Sequence, residues 1–187
     1  MAECARSISS RSNETRETLS LAPLAMHPLL IAKVLALIAV ANATPVIAKD
    51  LLGGWFNWPL DAGIRLSDGQ PLFGASKTVR GVLLALAVTS GCAPLVNLRW
   101  QGGAIIASAA MAGDLCSSFV KRRMYLAPAS KATALDQIPE SLFPMLAART
   151  ALGLSATDIC VGVVFFFVGE MFLSRLFYRI GLRDQPY

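Results

Sequence analysis

From about residue 28 onward, long apolar blocks alternate with polar segments, and nearly all of the charge falls between the blocks. Crossing the hydrocarbon layer takes about 20 apolar residues. Five runs approach that length: "PLLIAKVLALIAVANATPVI" (28–47), "VRGVLLALAVTSGCAPLV" (79–96), "GGAIIASAAMAGDLCSSFV" (102–120), "PESLFPMLAARTALGL" (139–154) and "TDICVGVVFFFVGEMFLSRLF" (157–177). In lipid the backbone must satisfy its own donors and acceptors, so such runs form helices. The fourth is short and carries Arg149, and Pro144 within it predicts a kink or break. The fifth is the most apolar and carries Glu170 near its end. The pattern predicts an all-α, polytopic membrane helical bundle of about five transmembrane helices, joined by polar loops. Residues 1–22 are rich in Ser, Arg, Glu and Thr without apolar period and are expected to be a disordered tail. Residues 23–187 then make one integral-membrane unit. No short apolar core with a small-residue cleavage site opens the chain, which argues against a cleaved signal peptide.

Composition agrees with this pattern. Hydrophobic residues are 55% of the 187 and charged residues 16%, with a mean hydropathy of +0.55. A soluble domain carries about 25% charged residues. The four cysteines, Cys4, Cys92, Cys116 and Cys160, form no C-x-x-C pair, and three lie in apolar blocks as small hydrophobes. His27, the only histidine, stands at the head of the first block and makes no metal site by itself.

The cations orient the bundle. Lys49, Arg65, Lys77 and Arg80 follow the first span, Lys121, Arg122, Arg123 and Lys131 follow the third, and Arg175, Arg179 and Arg183 end the chain. With five spans these groups share one face, which the positive-inside rule makes cytoplasmic. Arg99 and Arg149 stand on the other face; Arg6, Arg11 and Arg16 in the tail run against the trend. No nucleic-acid partner is expected.

Both long polar segments meet at that cationic face. The first contains "PLDAGIRLSDGQPLFGASKTVRG" (59–81), whose glycines, Gly74 among them, free the backbone to bring N–H groups near an anion. Lys77 and Arg80 add positive charge, while Asp61 and Asp68 sit in the same loop. It is not a Walker loop, because G-x-x-x-x-G-K-[ST] is absent. The plain alternative is a set of turns whose cations mark the cytoplasmic side. The third span ends in "GDLCSSFVKRR", where Asp114 lies inside an apolar helix, a costly position that by default marks function. Asp114, Ser117, Ser118 and Lys121 fall at i, i+3, i+4 and i+7 and share one helix face. The alternative there is a snorkelling anchor of three cations paired with Asp114. Asp136, in "ALDQIPES", precedes the fourth span. Two carboxylates facing a basic rim suit Mg²⁺ bound to a polyphosphate.

These residues resemble the CDP-archaeol synthase family, membrane cytidylyltransferases that activate lipid phosphates with CTP. The matching pieces are "ANATPV" (41–46), the 59–81 loop, and 113–141 from "GDLCSSFVKRR" through "LDQIPES", in order over about two thirds of the chain. The last piece is also similar to the signature region of phosphatidate cytidylyltransferases. Gln137 stands where that wider group has Arg, Ala62 where the family has Gly, and Val79 where it has Trp. The resemblance implies that Asp114 and Asp136 hold Mg²⁺, with Lys121 beside them in the catalytic cluster. It implies that Lys77, Arg80, Lys121 and Arg122 contact phosphates, with Asn42, Asp61 and Asp68 in the polar cleft, and Arg122 or Arg123 is expected to clamp the lipid phosphate. For Asn42, an amide just before Thr44-Pro45, capping of a broken turn remains the alternative. The implied reaction moves CMP from CTP to a membrane lipid phosphate. A CTP-dependent lipid or polyprenol kinase, or a small transporter or scaffold with a basic face, stays open. Gly102, Gly103 and the small residues of the third span permit close helix packing and hence a homodimer.

Overall fold

The structure, a computed structural model, describes residues 26–126 and 133–179. The expected tail at 1–22 and the cations Lys131 and Arg183 lie outside the described residues. The described residues form five α-helices: α1 (Pro28–Leu52), α2 (Val79–Cys92), α3 (Trp100–Arg123), α4 (Thr133–Leu152) and α5 (Ala156–Arg179). A 3-10 turn, Ala93–Val96, extends α2. Among the described residues there is no strand, only isolated bridges at Pro59–Thr78 and Arg65–Pro71. The all-helical polytopic expectation holds.

Local chemistry sets the helix ends. Pro28 occupies the first turn of α1, where a missing N–H costs nothing. The helix closes at Gly53, whose φ of +51° suits glycine and whose N–H bonds Lys49 O at 3.0 Å. Thr78 caps α2 by accepting the Gly81 N–H at 3.2 Å. Ser155 and Asp158 form a capping box at α5: Asp158 N–H donates to Ser155 Oγ, and Ser155 N–H donates to Asp158 Oδ2. Asp158 also accepts from the His27 backbone N–H at 2.8 Å, and its Oδ2 lies 3.0 Å from His27 Nδ1. His27 thus fastens the start of α1 to the start of α5.

Among the described residues, four helical stretches are long and apolar enough to cross a membrane: Pro28–Leu52, Val79–Val96, Trp100–Arg123 and Ala156–Leu173, with mean hydropathies of 2.0, 1.8, 1.5 and 1.9. The remaining helix, α4, begins at Thr133, before the expected start at Pro139, so Asp136, Gln137 and Glu140 lie within its first turns. It runs unbroken through Pro144, which is fully buried. This differs from the predicted kink or break. Burial of α4 against its neighbours holds the helix across the missing hydrogen bond.

The core follows from this arrangement. Val34, Leu37, Ile38, Ile106, Met145, Ile159 and Phe166 pack one end of the bundle. Ala41, Ala85, Ala107, Ala110 and Met111 pack the other, where small side chains let the backbones approach. Leu83, Val88, Val164, Phe165 and Phe172 point outward, as lipid-facing residues do. The α3 and α4 backbones approach closely, so that a Cβ on Gly113 would stand 2.3 Å from Pro139 O. Gly103 is also tight against α2 and its 3-10 extension, with Thr89 O and Ala93 Cβ each 2.8 Å from a Cβ there. Gly103 and Gly113 therefore serve packing within the chain, whereas a Cβ on Gly102 would meet nothing within 4 Å.

The 59–81 segment folds around a single carboxylate. Asp61 accepts from the N–H groups of Gly63 (3.1 Å), Phe73 (3.1 Å) and Gly74 (2.9 Å). Burial pushes its carboxyl up, but those three backbone donors outweigh burial and hold it below the ordinary 3.8. A depressed carboxyl stabilises the fold above its ordinary range and loses that contribution as pH falls through its lowered value.

Gly113→Ala should destabilise the bundle by roughly 1–3 kcal/mol, the usual cost of overpacking, read as an earlier thermal transition in detergent. Gly102→Ala, where a Cβ meets nothing within 4 Å, should leave that transition unchanged or slightly later. Asp61→Asn should expose the 59–81 segment to protease at neutral pH. The parent's protection should persist on acidification to the ordinary carboxylate range and fail only below it.

Candidate active site

The end of the bundle that gathers the two polar segments encloses a cavity of about 740 Å³. Most of its wall comes from four helices and one loop: Asn42 and Lys49 of α1, Lys77 of the loop, Arg80 of α2, Asp114, Ser118, Lys121 and Arg122 of α3, and Asp136, Gln137 and Glu140 of α4. The cavity also reaches Glu170 and Met171 on α5.

Two ion pairs organise it. Lys77 Nζ sits 2.5 and 2.6 Å from the two Asp114 carboxylate oxygens. Lys121 Nζ sits 2.8 Å from Asp136 Oδ1. The expected convergence of Asp114 and Asp136 on one cavity is present, and each acid is matched by a lysine from another segment. Such pairing is what permits an acid near a membrane interior. A third carboxyl, Glu140, stands against Asp114, with Lys77 and Asp136 in electrostatic reach. It accepts from Asn42 Nδ2 at 3.0 Å, which leaves Asn42 Oδ1 buried without a partner. Asn42 therefore faces the cleft and does not cap a broken turn; Thr44 Oγ1 donates instead to Val40 O at 2.7 Å. Glu140 escaped the sequence reading although the signal was there. It follows Asp136 at i+4, one helical turn along the same face.

The predicted phosphate-binding residues divide into two groups. Lys77, Arg80, Lys121 and Arg122 line the cavity with Asn42. Asp61, Asp68, Gly74 and Arg123 do not; they build the loop. The anion held by the N–H groups of Phe73 and Gly74 is the chain's own Asp61. Arg123 Nη1 pairs with Asp68 at 2.8 Å, its Nη2 donates to Pro71 O, and its guanidinium lies 5.2 Å from the Phe119 ring centroid. Arg122 runs beneath Gly74 and donates to Leu126 O at 2.5 Å. Gly74, with φ of +96°, leaves room there that a side chain would fill. Arg80 is 8% exposed, and its Nη1 donates to the carbonyls of Gly53 and Trp55. On α3 the predicted face splits: Ser118 and Lys121 join Asp114 on the cavity wall, whereas Ser117 is buried and bonds Asp114 O.

Among the described residues no group of three or more His, Cys, Asp or Glu side chains is arranged to hold a metal unaided. The donor set still fits a hard divalent cation. Mg²⁺ takes one or two protein carboxylates and completes its shell with phosphate oxygens and water.

Comparison with known proteins agrees with this architecture. Residues 93–187 match the CarS-like family model, described as CDP-archaeol synthase. A CDP-archaeol synthase of Aeropyrum pernix is 39% identical over 160 residues, spanning 79% of this chain and 86% of the relative. One from Pyrococcus furiosus is 39% identical over 123 residues, spanning 60% and 70%. A solved structure, "Structural insight into an intramembrane enzyme for archaeal membrane lipids biosynthesis", superposes with a TM-score of 0.65 at 31% identity, covering 74% of this chain and 89% of that one. Sequence and fold together place the chain in the CDP-archaeol synthase family.

Proposed function

We propose that this protein transfers CMP from CTP to the phosphate of a membrane lipid and releases pyrophosphate, with its cavity on the cytoplasmic face. The observation that carries this reading is the pair of Lys–Asp contacts, Lys77–Asp114 and Lys121–Asp136, lining one cavity at the polar end of a membrane bundle. The names of the relatives point to archaeol, carried as its phosphate, as the lipid to test first. The cytoplasmic assignment rests on the cations that follow α1 and α3.

Chemically, an oxygen of the lipid phosphate attacks the α-phosphorus of CTP in line. The bond from that phosphorus to the oxygen bridging to the β-phosphorus breaks, and pyrophosphate departs with the electron pair. A lipid phosphate is ionised near neutral pH, so no general base is required. The chain's task is positioning and charge neutralisation. Asp114 and Asp136 would hold Mg²⁺, which when bound offsets negative charge on the polyphosphate. In the structure these acids engage Lys77 and Lys121, so the same lysines stand ready to turn to phosphate oxygens when the acids take a cation. Arg122 offers a planar fork suited to a phosphate at headgroup level. Arg80, with Nε buried and unpartnered, adds positive potential to the wall.

The direct test incubates purified protein with Mg²⁺, lipid phosphates and CTP labelled at the α- or γ-phosphorus. Transfer of the α-label to lipid is expected. Transfer of the γ-label would instead identify a kinase, and no CTP consumption with any lipid phosphate would favour a transporter or scaffold. Asp114→Asn should lower turnover by more than about 100-fold, beyond the usual effect of losing an outer-shell partner, while membrane insertion is retained. Lys77→Met should raise KM for CTP and leave KM for the lipid phosphate nearly unchanged. An unaltered KM for CTP would remove Lys77 from the nucleotide subsite.

A further inference from the structure

The loop after α1, "GGWFNW" (53–58), carries three large rings that the fold leaves uncovered: Trp55 is 75% exposed, Phe56 64% and Trp58 68%. The loop is nevertheless built. The Phe56 and Trp58 rings meet edge to face, 6.0 Å apart at 88°. Phe56 holds φ of +53°, a left-handed conformation that a bulky side chain adopts only when its surroundings impose it. The cause lies in the backbone contacts. The carbonyls of Gly53 and Trp55 both accept from the buried guanidinium of Arg80, and Trp58 O accepts from Val79 N at 3.1 Å. Asn57, between the rings, lines the cavity. One side of the loop is thus fixed to the site, and the aromatic side faces away from it.

The position of the loop selects its partner. It continues directly from the exposed Leu51 and Leu52 at the end of a helix long and apolar enough to cross a membrane, with Lys49 in that helix's last turn. That places the rings where hydrocarbon gives way to headgroups and water. Tryptophan prefers this layer because its ring is apolar and its indole N–H needs a polar partner. We propose that Trp55, Phe56 and Trp58 form an aromatic lip inserted in the headgroup layer of the surrounding bilayer, beside the cavity mouth. The lip holds the mouth at the level of the lipid phosphates, so that a lipid phosphate reaches the site without leaving the membrane. This presentation role rests on the transfer reaction proposed above; the membrane contact does not.

The chain has three tryptophans, Trp55, Trp58 and Trp100, so Trp100→Phe leaves the lip as the sole source of tryptophan fluorescence. In vesicles of lipids brominated at graded depths, quenching should be greatest for bromines nearest the headgroup, and aqueous iodide should quench weakly. Strong iodide quenching with no bromolipid effect would put the rings in water and overturn the proposal. Protection from both quenchers would put them against a second protein surface and overturn it equally. The double variant Trp55→Ala, Trp58→Ala should raise KM for vesicle-borne lipid phosphate several-fold, with KM for CTP unchanged. An unchanged lipid KM, or an equal rise for CTP, would overturn the presentation role. Were CMP transfer itself not found, the quenching measurements would still decide the membrane contact.

Discussion

A carboxylate inside a membrane-spanning helix must be neutralised where it stands, and the cavity is arranged around that requirement. Asp114 is tolerated in α3 because Lys77 reaches it from a loop 37 residues earlier. Asp136, at the start of α4, is met by Lys121 from one helix over. Each of the two acids is matched by a lysine within the cavity. A salt bridge between side chains can be exchanged for metal and phosphate contacts at modest net cost, because the charges are conserved and only their partners change. The pairs therefore serve two ends. They let acids exist near the bilayer core, and they hold cations beside the place where phosphates are expected.

The loop that delivers Lys77 is rigid for an electrostatic reason as well. Backbone N–H groups of Gly63, Phe73 and Gly74 converge as they would on a bound anion, but the anion is the Asp61 side chain. An internal anion shapes the loop before any ligand arrives, so less conformational entropy is lost on binding. Arg123 reinforces the far side through Asp68 and Pro71 O. Arg80 ties the preceding aromatic segment to α2. Of the charged residues in and around this segment, Asp61, Asp68 and Arg123 maintain the frame, Lys77, Lys121 and Arg122 face the cavity, and Arg80 does both.

Close packing gives the frame its precision. The absence of a side chain at Gly113 lets α4 lie against α3, next to Asp114, so Asp136 and Glu140 arrive at the same cavity. At the opposite end, the His27–Asp158 contact and the Ser155 cap fasten α1 to α5. With that end fixed and its apolar core filled, the polar end can remain open without the helices separating.

The sequence by itself determined the helices, their alternating direction and the end at which the polar segments gather. Hydropathy is a one-dimensional property, and the bilayer converts it directly into spans. It also marked Asp114, Asp136, Lys77 and Lys121, because charge next to an apolar helix is costly and therefore informative. What the tertiary structure decided was partnership. Whether Asp61 faced a ligand or its own loop depended on where Phe73 and Gly74 turned their N–H groups. Whether Arg123 or Arg122 entered the cavity depended on helix rotation, since neighbouring residues point about 100° apart on an α-helix. Glu140 became visible only when α4 was seen to begin at Thr133, a boundary that two prolines obscured. Partner choice depends on distances between remote segments, and neither hydropathy nor helical period carries that information.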